Sequence, residues 1–232
     1  MKSKKNVLMS LSIFIVAKKI SLFLIILCFI WINCSTPKEK TDIRWVTVEE
    51  IARSLENQPP MNVGFDIDDT ILFSSPGLYS GMKKYSPGTL DFLSMEKFWE
   101  EMNNELDRYS LPKECARKLL ELHKKRGDSI FFITGRPATL TEGLTELLAE
   151  TFYLDKINTV IFTGSSGDDN PKIKPMKEKQ IRIFYGDSDS DIQAAQSAGA
   201  RAIRILRAGN SVHKPFPRIG GLGEEVLQNS EF

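Results

Sequence analysis

Three apolar runs that do not alternate with polar residues set the terms for this fold. Met61 to Ile67, Ser129 to Thr134 and Ile181 to Tyr185 are short and rich in Val, Ile and Phe, and a loop bearing carboxylates or hydroxyls follows each. A strand with one face in water alternates, whereas a strand covered on both faces does not. Helical periodicity lies between the runs. From Lys113 to Arg126, Ala116, Leu119, Leu120 and His123 recur at one-turn spacing, and Gly127 stops the pattern. Thr139 to Phe152 and Asp189 to Ala198 read as further helices, Thr159 to Thr163 and Ala202 to Leu206 as further strands. Strands alternating with helices predict an α/β chain built on a parallel sheet covered on both sides.

Other segments are less regular. Val46 to Leu55 reads as a short helix, with Thr47 as N-cap and Glu50 completing a capping box. Residues 74–94, rich in Ser, Pro and Gly, read as an irregular insertion, followed by a helix from Glu96 to Arg108. The stretch after Gly209 has few apolar residues and reads as an arm packing on a neighbour.

The net charge of +1 conceals an asymmetry. Lys2, Lys4, Lys5, Lys18 and Lys19 lie in the first 33 residues with no acid among them, and without them 26 basic residues face 30 acidic ones. An acidic remainder is a poor footprint for nucleic acid. Lys18 and Lys19 precede an apolar run from Ile20 to Ile32, long enough for an export signal and short for a membrane span. Cys34 follows, resembling a lipid attachment site, although Trp31-Ile32-Asn33 lacks the usual small residues. Lipoprotein, secretion with cleavage nearby and uncleaved anchor all place the remaining chain outside the cytoplasm. Three cysteines make no disulfide framework, and Cys115 reads as a small buried apolar residue. The chain divides into an export segment (1–33), a tether (34–44), a core (45–208) with an insertion at about 74–110, and an arm (209–232).

The loops after the strands carry the chemistry. In Asp66-Ile67-Asp68 two carboxylates leave a strand two residues apart and can face one ligand, and Asp187 ends another strand nearby. Converging carboxylates repel unless a cation joins them, and Mg²⁺ suits oxygen ligands together with a substrate phosphate. One ion is expected, held by the side chains of Asp66 and Asp187 and the carbonyl of Asp68. Thr134 offers a hydroxyl, Gly135 an approachable amide, and Lys172 a charge for phosphate. Asp66 is the candidate nucleophile and Asp68 the candidate proton donor. Asp191, one turn beyond Asp187, would orient metal-bound water or Lys172, and Arg136 is a supporting residue.

These segments resemble the haloacid dehalogenase superfamily of aspartate-nucleophile phosphatases and, more narrowly, bacterial class B acid phosphatases. The likeness runs through Val63 to Thr70, Leu72 to Gly77, Phe98-Trp99-Glu100, Ile130 to Arg136, Ile181 to Asp189 and Ile203 to Ala208. It implies a Rossmann-like core with a small cap, a homotetramer, and an exported Mg²⁺-dependent enzyme. Its substrates would be many organic phosphomonoesters, nucleotides included, with possible transfer of phosphate to alcohols. It also implies a leaving-group pocket at Leu78, Leu93 and Trp99, with His213 standing where a phenol is expected. The alternatives are a class C-like lipoprotein phosphatase or 5′-nucleotidase, and a non-catalytic binding protein on a phosphatase scaffold.

Overall fold

The computed structural model describes residues 42–164 and 170–232. The export segment, Cys34 and most of the tether lie outside the described residues. In chain order the elements are β1 (Arg44–Val46), α1 (Val48–Ser54), β2 (Asn62–Phe65), β3 (Leu72–Phe73), α2 (Ser75–Tyr85), α3 (Glu96–Asn104), β4 (Leu111–Pro112), α4 (Glu114–Arg126) and β5 (Ser129–Thr134). Then come α5 (Leu144–Phe152), β6 (Ile161–Phe162), α6 (Ile173–Glu178), β7 (Ile183–Gly186), α7 (Asp189–Ala198), β8 (Arg201–Arg204) and β9 (Glu225–Leu227). Short 3₁₀ turns at Asp91–Ser94 and Leu106–Tyr109 flank α3.

Seven strands form one parallel sheet in the order β1-β9-β8-β7-β2-β5-β6. Neighbouring residues of one strand serve opposite faces. Ile183 and Tyr185 join the core shared with Ile51, Leu119, Leu120 and Leu148, whereas Phe184 joins Met176, Ile192 and Ala195 on the other side. Both faces are therefore covered, which is why these strands carry no alternation. The capping box at Thr47 and Glu50 forms, and Gly199 closes α7 in the left-handed region at φ 77°.

Three segments differ from the sequence reading. Residues 74–94 are not irregular: Ser75 to Tyr85 is helical with Pro76 in its first turn, and the turn Asp91–Ser94 follows. Tertiary packing stabilises this helix, because Gly81 lets it lie against Phe98, where a Cβ would come within 2.1 Å of the ring. Residues 209–232 return to their own sheet instead of forming an arm. The strand β9 inserts between β1 and β8, and the Ser230 hydroxyl accepts the amide of Leu206 at 2.9 Å. The helix expected from Thr139 begins only at Leu144.

Candidate active site

The central strands β2, β5 and β7 run parallel and adjacent, so the loops at their C-terminal ends share one edge of the sheet. Asp66 follows β2, Thr134 ends β5 and Asp187 follows β7. The Asp66 amide donates to the Tyr185 carbonyl at 2.9 Å, which fixes the first loop against the third. All three side chains are buried or nearly so.

Carboxylate oxygens of Asp66, Asp187 and Asp191 lie within 4.8 Å of one another. Thr70 Oγ1 bridges the first two, at 3.0 Å from Asp66 Oδ2 and 3.3 Å from Asp187 Oδ1. Lys172 Nζ donates to Asp66 Oδ1 at 2.5 Å and to Asp191 Oδ1 at 2.6 Å. Asn170 aims this lysine by accepting its amide and donating to the Ser190 carbonyl. The capping box of α7 pins Asp191, whose amide reaches Ser188 Oγ and whose Oδ2 accepts from Ser188. Gly186 makes that approach possible, since a Cβ there would stand 2.3 Å from the Cβ of Asp191.

Electrostatics separate these acids. Burial pushes the Asp66 carboxyl well above the usual range, and the charges of Asp191, Asp187 and Asp68 push the same way against Lys172. Burial also raises Asp187, against the pull of Arg207. Burial opposes ionisation of Asp191, but Lys172 overrides it and lowers the pKa. An all-oxygen set whose members resist ionising together is what a hard divalent cation relieves, so the donor chemistry fits such an ion.

The Asp68 carboxylate stands outside this cluster. It meets the guanidinium of Arg136, with Nε at 2.8 Å from Oδ2 and Nη2 at 2.6 Å from Oδ1. Arg136 outweighs the burial of Asp68 and holds its carboxyl far below the ordinary value. The same guanidinium is buried against Asp107 and Asn103, just beyond and at the end of α3. Arg136 therefore ties the loop after β5 to the end of α3 and the turn beyond it.

A cleft of about 980 Å³ opens over these residues, and its lining includes Asp66, Thr134, Gly135 and Lys172 together with Leu93, Trp99 and His213. Leu78 is not in it. That side chain is buried among Phe92, Phe98, Met102 and Leu106 in a separate apolar cluster, because its turn of α2 faces inward. A Cβ at Gly135 would make only ordinary contacts, so any need for glycine there would come from a bound ligand.

Several contributors escaped the sequence reading. Arg207 donates through Nε to Asp187 Oδ2 and through Nη1 to the carbonyls of His213 and Pro215. Arg204 is buried and donates to the Asp187 carbonyl. Lys113 is buried beneath the first loop, donating to the carbonyls of Asp69 and Leu206 at 2.8 and 2.7 Å. Asp69 and Thr70 were visible within the first motif, but nothing local distinguishes their tasks. His123 is likewise more than a helix-face residue: its ring, wholly buried, bridges Asp128 at 2.7 Å and Tyr185 Oη at 2.8 Å beneath β7.

The profile of the haloacid dehalogenase superfamily, subfamily IIIB (acid phosphatase), matches residues 36–215. The chain belongs to the class B acid phosphatase family. A class B acid phosphatase of Rahnella sp. (strain Y9602) is 52% identical over 203 residues, covering 87% of this chain and 86% of that protein. One from Salmonella arizonae is 53% identical, covering 86% and 85%, and one from Klebsiella pneumoniae (strain 342) is 52% identical, covering 88% and 87%. Among solved structures, a 1.7 Å crystal structure of a Clostridium difficile protein named as a phosphatase has a TM-score of 0.53 at 17% identity. It covers 75% of this chain and 97% of its own. CbbY from Rhodobacter sphaeroides, solved with phosphate, has a TM-score of 0.50 at 15% identity, with coverage of 73% and 94%. Likeness at these identities speaks for the fold alone. As in other class B acid phosphatases, the activity is phosphomonoester hydrolysis.

Proposed function

We propose that this class B acid phosphatase is exported, depends on Mg²⁺, and hydrolyses a broad range of organic phosphomonoesters, nucleotides included, through a phosphorylated Asp66. The observation that carries this reading is the convergence of the Asp66, Asp187 and Asp191 oxygens beside Lys172 at the floor of one cleft. Asp66 and Asp187, with the carbonyl of Asp68, would hold the ion, which supplies charge stabilisation for the phosphoryl oxygens when bound.

The protein's own groups divide the remaining work. Thr134, the Gly135 amide and Lys172 orient and neutralise the phosphoryl group. Asp66 attacks phosphorus in line, the ester P–O bond breaks, and protonated Asp68 gives its proton to the departing alkoxide. An aspartyl-phosphate remains. Ionised Asp68 then takes a proton from water, whose oxygen displaces Asp66 and releases phosphate. The pairing with Arg136 favours ionised Asp68, so the donor half of this cycle gains from acidic surroundings. An alcohol in place of water would give phosphate transfer. Export, an anchor at Cys34 and a homotetramer belong to the same reading.

Hydrolysis of p-nitrophenyl phosphate with and without EDTA, restored by Mg²⁺, tests the metal requirement. Asp66→Asn is expected to abolish turnover and keep phosphate binding, and substantial residual activity removes Asp66 from its role. Addition of a competing alcohol, read as alcohol phosphate against free phosphate, tests transfer.

A further inference from the structure

One wall of the cleft carries a fixed polar side chain, His213, to which hydrolysis assigns no task. His213 donates its amide to Ser211 Oγ at 3.0 Å, and its carbonyl accepts from Arg207 at 3.0 Å. Its ring is held by Nδ1 against Asp69 Oδ2 at 2.8 Å, and Asp69 also accepts from Ser211 Oγ at 2.6 Å. Asp69 is itself immobilised: it is 1% exposed, sits at φ 59°, and its carbonyl takes the Lys113 ammonium. The imidazole is thus aimed by a buried carboxylate, in the arrangement that fixes histidine orientation elsewhere. Its side chain is 29% exposed and lines the cleft, and among the described residues Nε2 has no partner.

The neighbouring groups decide what Nε2 can bind. Trp99 spends its indole N–H on the Leu93 carbonyl at 2.8 Å, so it offers the leaving group an apolar surface and no donor. Lys214 also lines the cleft, its ammonium resting 3.4 Å from the centroid of the Phe216 ring. A hydroxyl on the leaving group needs one neutral donor. This wall presents a fixed ring nitrogen with a lysine beside it. Burial disfavours the imidazolium, but the hydrogen bond to Asp69 and the charges of Asp68, Asp69 and Asp187 outweigh it and favour the protonated ring.

We infer that His213 Nε2, seconded by Lys214, receives a second anionic group on the leaving alcohol, so that this phosphatase favours alcohols carrying two phosphates over the same alcohols carrying one. The inference rests on the phosphomonoesterase reading above and adds a substrate class to it. A buried carboxylate on Nδ1 of the ring and a second cation lining the same cleft make an anion the complementary ligand.

The test compares kcat/KM for adenosine 3′,5′-bisphosphate and adenosine 5′-monophosphate on the full chain with Mg²⁺, beside p-nitrophenyl phosphate. The bisphosphate is expected to be preferred beyond the statistical advantage of a second scissile group, with the difference in KM. In His213→Leu the preference should fall by about tenfold, the scale of one charge-assisted hydrogen bond. His213→Gln, which keeps a neutral donor, should fall between. Equal or lower efficiency on the bisphosphate in the unaltered protein overturns the inference, as does an unchanged ratio in both variants. If p-nitrophenyl phosphate is hydrolysed while the ratio stays flat, only the second-anion reading is lost. If no ester is hydrolysed, the phosphatase mechanism and this inference fall together.

Discussion

Replacing Arg136 with Met would strand two carboxylates at once. The guanidinium is 2% exposed and donates to Asp68 at 2.8 and 2.6 Å, to Asp107 Oδ1 at 3.0 Å and to Asn103 Oδ1 at 3.3 Å. After the change, Asp107 keeps, among the described residues, only Ser110 Oγ as a side-chain donor and lies 4% exposed. Removing one partner of a buried ion pair costs about 3–5 kcal/mol. For a chain of this size that is a fall in Tm of roughly 6–20 °C. The double variant Arg136→Met/Asp107→Leu removes one stranded charge and fills the space with an apolar side chain, so most of the lost stability should return. Activity should not return, because Asp68 still lacks the group that orients it. With Arg136 gone, Asp68 also loses the influence that depresses its pKa, so the residual pH–rate profile should move to higher pH. Urea unfolding and kcat/KM against pH, measured on the unaltered protein and the two variants, read both effects. A loss below about 1 kcal/mol in the single variant, the scale of an exposed pair, would refute the claim that this pair is buried and structural.

Three further outcomes can be measured. Gly186→Ala places a Cβ 2.3 Å from that of Asp191, so α7 must shift; overpacking of about 1–3 kcal/mol and a marked drop in kcat are expected, and a variant matching the parent in both would show the approach to be slack. His213 has a folded pKa above its ordinary 6.5, so its pairing with Asp69 stabilises the fold below that value and is lost as pH rises through the folded value. The stability gap between the unaltered protein and His213→Gln should accordingly be widest below pH 6.5 and narrow as pH rises into the alkaline range, and a constant gap contradicts the pairing. A mass spectrum of the mature N-terminus should find lipid on Cys34 if the anchor reading holds, whereas an unmodified terminus elsewhere excludes it.

Much of the architecture was written in local pattern. Unbroken apolar runs marked β2, β5 and β7, and a Thr-x-x-Glu box marked the start of α1. The acidic and hydroxyl residues at the strand ends, Asp66, Thr134 and Asp187, could be read because strand direction alone sends those loops to one edge. What escaped was set by distance along the chain. Residues 74–94 look irregular because their helix is stabilised by Phe98, Met102 and Leu106, whose effect local propensity does not contain. Leu78 was expected in the cleft from the resemblance alone, and a matching position does not say which side of a helix faces a ligand.

The sequence by itself determined the order of the central strands with the helices between them and the chemical identity of the site, since periodicity, caps and strand-end residues are properties of neighbouring positions. Only the tertiary structure decided which charges meet. Arg207 reaches Asp187, Arg136 reaches Asp68 and Asp107, His213 reaches Asp69, and β9 enters the sheet between β1 and β8. The physical reason is that Coulombic and hydrogen-bonding energies depend on separation in space and on burial, and both are fixed by packing between segments far apart in the chain.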